Sequence, residues 1–206
     1  MDKTTQTEQK ILQAAMDIFV RKGRYGAKMQ EIADEAGINK ALLHYYFRSK
    51  DKLYTKVFED VFVSEFGALH EIFEIDADFK TKLINFIDQY TNLILKNPHF
   101  PIFILRELSE GAEDVKPVFN RILSNNQFNL PHSFIQAIQL AIRNGEIKPV
   151  DPRHLFITII GAVVFYFIAE PLLSEFLKND RNFNRIKFVE ERKKFIVDII
   201  FNGIKP

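Results

Sequence analysis

Apolar residues along the chain recur at helical spacing. Ile11, Leu12, Ala15, Ile18 and Phe19 form one stripe of a first helix, which the capping-box spacing of Thr5 to Glu8 opens and Lys22-Gly23 stops. Met29 to Ala36 predicts a short second helix with Ile32, Ala33 and Ala36 inward, closed by Gly37, whose missing Cβ permits a positive φ. Asn39 can cap a third helix reaching Phe47, and Ser49 a long fourth helix to about Phe73. A fifth runs from Phe79 to Lys96, and Asn97-Pro98 opens a sixth to about Glu110. Val115 to Ile142 is helical with breaks near Asn125-Asn126 and Leu130-Pro131, and Gly145 ends it. Asp151-Pro152 starts a strongly apolar helix to about Leu177, kinked at Pro171, and the last helix spans about Arg185 to Phe201 with Gly203 beyond it. No stretch alternates with period two, so the expected fold is all-α, with about nine helices.

Composition narrows the class. Of 206 residues 47% are hydrophobic and 27% charged, ordinary globular proportions, but there are 21 Phe and neither Trp nor Cys. That removes disulfides, cysteine nucleophiles and Cys-ligated metals. Met1 is followed by polar DKTTQTEQK, so no signal peptide is expected; the run Leu155 to Ala169 is short for a membrane span, and the expected location is the cytoplasm. The net charge of +1 argues against a protein that coats nucleic acid, yet it divides into +3 for residues 1–55 and −2 for 56–206.

The basic end contains two short helices joined by a tight turn, a helix-turn-helix whose second helix can enter a major groove. Leu43 and Phe47, four apart, can face the first two helices, which leaves Lys40, Ala41, His44 and Tyr45 on the other side. Ala41 allows close approach and contact with a thymine methyl; Lys40 can reach a base edge or phosphate; His44 and Tyr45 offer hydrogen bonds and flat apolar surface.

Ile32-Ala33-Asp34-Glu35-Ala36-Gly37-Ile38-Asn39-Lys40, then Leu43, then Tyr46-Phe47-Arg48-Ser49-Lys50-Asp51-Lys52-Leu53 resembles the signature of the TetR family of bacterial transcriptional regulators, a likeness covering roughly residues 5–55. The resemblance implies an N-terminal three-helix DNA-binding domain, residues 1–50, and a helical ligand-binding and dimerisation domain, residues 51–206. It implies a homodimer whose paired recognition helices bind an inverted repeat in double-stranded DNA, usually to repress. By position, Gln30, Lys40, Ala41, His44 and Tyr45 would face bases, while Lys28, Tyr46 and Lys50 would hold phosphates; Tyr46 reads equally well as core packing. Ala27-Lys28 departs from the Thr or Ser common in the family, and His44 from a common Tyr.

The same layout implies an effector cavity, for which Phe62, Phe66, Phe86, Tyr90, Phe103, Glu107, Phe134, Phe165 and Tyr166 are candidates, although most of the phenylalanines should be core. Glu107 either selects a cationic or hydrogen-bonding ligand or pairs with a neighbouring Arg or Lys. The run Leu155 to Ala169 is apolar all round, so a homodimer partner is expected to cover one face: Leu155, Ile159, Gly161 and Ala162, with Phe188, Phe195 and Ile199 of the last helix. His70, His99, His132 and His154 are scattered, and no HExxH, phosphate loop or serine elbow occurs, so no enzyme, metal or cofactor is expected. The function expected is a homodimeric repressor released by a small apolar or amphipathic effector. The alternative is a ligand-binding or protein-interaction module of the same fold that has lost sequence-specific DNA binding.

Overall fold

The computed structural model describes residues 3–98, 100–113, 115–124, 130–177 and 183–206, apart from the side chains of 3–5, 61–62, 64–66, 122–123 and 177. The described residues form ten helices: α1 (Lys3–Gly26), α2 (Met29–Glu35), α3 (Lys40–Tyr46), α4 (Lys50–Glu74), α5 (Phe79–Lys96), α6 (Phe100–Ser109), α7 (Lys116–Ser124), α8 (Leu130–Arg143), α9 (Pro152–Leu177) and α10 (Arg185–Ile204).

Several boundaries follow from local chemistry. The side chains of Asn39, Asp78 and Asn184 accept from Leu42, Thr81 and Lys187 amides and so cap α3, α5 and α10. Ser49 Oγ accepts from Lys52 N at 3.2 Å at the start of α4. Others differ from the sequence expectation. Helix α1 starts ahead of Thr5 and continues past a kink at Gly23 (φ 70°) to Gly26. Helix α6 begins at Phe100, because Asn97 and Pro98 form the preceding turn, in which Phe100 N donates to Asn97 O at 2.9 Å. Pro131 opens α8 instead of interrupting a helix, since a first-turn proline loses no helical hydrogen bond. Gly203 lies inside α10, and α9 continues through Pro171. The expected break at Asn125-Asn126 lies outside the described residues.

The chain divides into two compact units, Met1–Ser64 with Ile102–Gln127, and Glu65–Pro101 with Phe128–Pro206. In the first, α1 packs on α2 and α2 on α3. Its core joins Ile11, Phe19, Ile32, Leu43, Leu53, Tyr54 and Phe58, with Phe103 from α6; the Phe19 and Tyr54 rings meet edge to face at 4.9 Å. In the second, α5 packs against α8, α9 and α10, and α9 against α8 and α10. Its centre is a cluster of rings: Phe134 lies 5.2 Å from Phe73 and 5.0 Å from Phe156, and Phe73 lies 5.3 Å from Phe86. Lys82 is buried there, its ammonium donating to the Phe73 carbonyl at 3.0 Å and capping the end of α4.

Candidate nucleic-acid interface

The turn between α2 and α3 is built by Gly37 at φ +68°, where Ile38 N reaches Ala33 O at 2.9 Å and Gly37 N reaches Asp34 O at 3.1 Å. A Cβ at Gly37 would meet nothing within 4 Å, so the backbone conformation, not space, requires glycine. Asn39 Oδ1 then accepts from Leu42 N at 2.8 Å and starts α3. Leu43 and Phe47 are buried and fix the roll of α3. Lys40, Ala41, His44 and Tyr45 are all exposed, Tyr45 at 73%. Leu42 joins this surface, a position that apolar character had hidden from the sequence reading. Tyr46 is half-buried, and its ring meets Tyr45 at 5.6 Å and 90°.

On α2, Lys28 is exposed at the N-cap without a capping bond of its own. Gln30 is exposed too, its amide held by Asp34 Oδ1 at 2.8 Å. The Lys22 ammonium donates to Glu31 at 2.9 Å and holds that carboxyl below its ordinary value. Lys50, expected to hold a phosphate, has partners within the protein. Its ammonium turns back onto the carbonyls of Tyr25 (3.4 Å) and Ala27 (3.2 Å), because the chain between α1 and α2 leaves both acceptors beside the first turn of α4.

The expected effector residues fall into different surroundings. Phe62 and Phe66 lie on α4 with side chains outside those described. In the first unit, Phe103 is buried 5.7 Å from the Tyr54 ring, and Glu107 is only 4% exposed. The buried Tyr54 hydroxyl has no partner in good hydrogen-bond geometry; burial first, then the nearby Glu107 carboxylate, pushes the phenol far above its ordinary pKa. In the second unit, Phe86, Tyr90 and Phe134 belong to the ring cluster, where burial pushes Tyr90 up to about 12. Tyr166 is buried against Phe188, their rings 5.2 Å apart. Phe165, at 62% exposure, points away from the core of its unit, one position round the helix from Tyr166.

Two of the expected dimer residues lie inside their own unit. Leu155 and Ile159 are buried within their own unit, on the face of α9 that packs against its neighbours. The exposed face of α9 carries Ile157, Gly161, Phe165, Leu172 and Phe176 instead. Ala162 and Phe188 are half-buried, and the Ala162 carbonyl accepts from Arg192 Nη2 at 2.6 Å. Phe195 and Ile199 are exposed on α10. By length and composition α9 would suit a bilayer, but it packs on α5, α8 and α10 as a helix of an all-helical bundle does.

Comparison with known proteins agrees with this architecture. Residues 11–57 match the model for bacterial regulatory proteins of the tetR family. The HTH-type transcriptional regulator RutR of Escherichia coli (strain K12) is 28% identical over 95% of this chain and 89% of its own length. The HTH-type transcriptional repressor NicS of Pseudomonas putida is 26% identical over 97% of this chain and 92% of its own. A TetR family transcription regulator from Marinobacter aquaeolei shares the fold with a TM-score of 0.73 at 16% identity, covering 98% of this chain and 97% of that one. The transcriptional regulator FadR from Bacillus subtilis, in complex with stearoyl-CoA, does so at 0.70 and 19% identity, over 95% and 98%. The matched helix-turn-helix, together with regulators related over nearly the whole length, makes the chain similar to the TetR family of bacterial transcriptional regulators.

Proposed function

We propose that the protein is a homodimeric transcriptional repressor of the cytoplasm that binds an inverted-repeat operator and is released by a small apolar or amphipathic effector. The observation that carries the reading is the division of α3: Leu43 and Phe47 are buried, while Lys40, Ala41, His44 and Tyr45 are presented to solvent on a helix of two turns. A surface of ammonium, methyl, imidazole and phenol matches the donors and apolar contacts that base edges in a major groove accept. Lys28 adds a cation suited to phosphate.

Residues 1–50 serve DNA binding, and 51–206 effector binding and dimerisation. A second copy covers the exposed apolar face of α9 and α10, supported by Phe165 and Phe195, which stand at 62% and 59% exposure. The stearoyl-CoA bound by FadR supports an amphipathic effector. Binding that favours one arrangement of the two DNA-binding domains shifts the population towards it and releases the operator.

Retardation of the upstream DNA of its own gene by the purified protein, with two protomers per duplex, is the expected result. Failure there, together with failure to enrich any sequence from a random pool, overturns DNA binding and favours a module that has lost it.

A further inference from the structure

Arg24 follows directly on the Gly23 kink, and its side chain is only 15% exposed. The guanidinium reaches three groups at once. Nη2 pairs with Asp51 Oδ1 at 3.1 Å, and the guanidinium carbon lies 5.5 Å from the Tyr54 ring centroid and 5.8 Å from that of Tyr25. Asp51 and Tyr54 stand three residues apart on α4, so they share one face of its first turns. Lys50 grips the same corner through the carbonyls of Tyr25 and Ala27. From α6, the Arg106 side chain closes over the kink: a Cβ on Gly23 would lie 2.7 Å from Arg106 Nη1.

The charges suit their places. Two cations sit against the carbonyl end of α1, and Asp51 lies in the first turn of α4, each where the helix dipole favours it. Arg24 also acts electrostatically on the Tyr54 phenol, opposing the influence of buried Glu107. A side chain so enclosed, with its guanidinium over two rings and ion-paired, is badly placed to reach a phosphate. What it holds is the short chain from Tyr25 to Lys28, and Lys28 stands at the N-cap position of α2.

We propose that Arg24 is a positioning residue for DNA recognition: it fixes the Tyr25–Lys28 corner against α4, so that Lys28 and the exposed Tyr25 meet DNA in register with α3, without touching DNA itself. The proposal rests on the DNA-binding reading above. It predicts a loss of discrimination without a loss of phosphate contacts, whereas a direct phosphate contact would weaken all sequences alike and lower the salt slope.

The test titrates native protein, Arg24→Met, Arg24→Lys and Asp51→Asn against a duplex selected from a random pool by the native protein, and against a scrambled duplex, at several salt concentrations. Arg24→Met should reduce the ratio of selected to scrambled affinity about tenfold, as for disrupted contacting networks, with the slope of log K against log salt unchanged. Arg24→Lys should recover part of the ratio, since it keeps the charge for Asp51 but not the guanidinium over the Tyr54 ring. Asp51→Asn should lower the ratio too, although removing a negative charge by itself favours DNA. An unchanged ratio for Arg24→Met, or a slope reduced by about 0.9, overturns the proposal. If Arg24→Met loses its helical circular dichroism, Asp51→Asn decides by the same readouts. Failure of the native protein to select any sequence overturns the DNA-binding reading, and the proposal with it.

Discussion

Lys50 donates its ammonium to the backbone carbonyl of Ala27 at 3.2 Å, so the first residue of α4 is tied to the chain that leads into the helix-turn-helix. A cation that the sequence offers to phosphate is thereby used inside the protein, on the carbonyl of Tyr25 in the last turn of α1 and that of Ala27 just beyond it. Lys50→Met should lower stability by roughly 1–2 kcal/mol, the scale of part-buried hydrogen bonds to a charged donor. It should leave the salt slope of DNA binding unchanged. Thermal unfolding and salt titration check the pair of outcomes; an unchanged melting temperature with a reduced slope would restore Lys50 to the phosphate contacts.

Lys28 is the contrasting case, exposed and without a capping bond of its own. Lys28→Ala should weaken binding to all duplexes alike and reduce the slope of log K against log salt by about 0.9. Titration over a range of salt on selected and scrambled DNA measures both.

Which residues of α3 are buried and which exposed was legible beforehand, and the reason is particular to this helix. Leu43 and Phe47 are apolar at a spacing of four between polar neighbours, so burial of one face followed from residue type. Asn39 and Gly37 carry local conformational preferences that no distant contact overrides. The direction of the Lys50 side chain was not legible, because it depends on where two carbonyls come to lie after α1 has kinked at Gly23. In α9 the difficulty is different. A helix apolar on every side carries no stripe to separate the buried Ile159 from the exposed Ile157, or Tyr166 from Phe165.

The exposed face of α9 and α10 makes a prediction about assembly. Phe165→Glu with Phe195→Glu should convert a dimer to a monomer in sedimentation without loss of helical content, since both rings are mostly exposed within the protomer. A pair of variants that sediments like the native protein would remove this face from the interface.

The ends of α9 and α10 are joined by Arg185, which donates to Glu170 through Nε and, at 2.9 Å, through Nη2. The guanidinium holds the Glu170 carboxyl below its ordinary value, burial opposing it. A carboxyl lowered in the folded state adds stability that is fully present above its unfolded value, about 4.3, and is lost as pH falls through the lower folded value. Melting temperatures taken from pH 6 downwards, over the range below about pH 4.3, should fall more steeply for the native protein than for Glu170→Gln. Parallel curves would show that the pair contributes nothing to acid stability.

If the exposed face of α3 reads bases, Tyr45, its most exposed ring, must contribute to the preference. Random-site selection carried out in parallel with native protein and Tyr45→Ala tests it most directly. The native protein should enrich an inverted repeat with half-sites about one duplex turn apart, roughly 34–36 Å, and the variant should relax preference at the same position in both half-sites. No enrichment by the native protein, or an identical preference at every position with Tyr45→Ala, would contradict it.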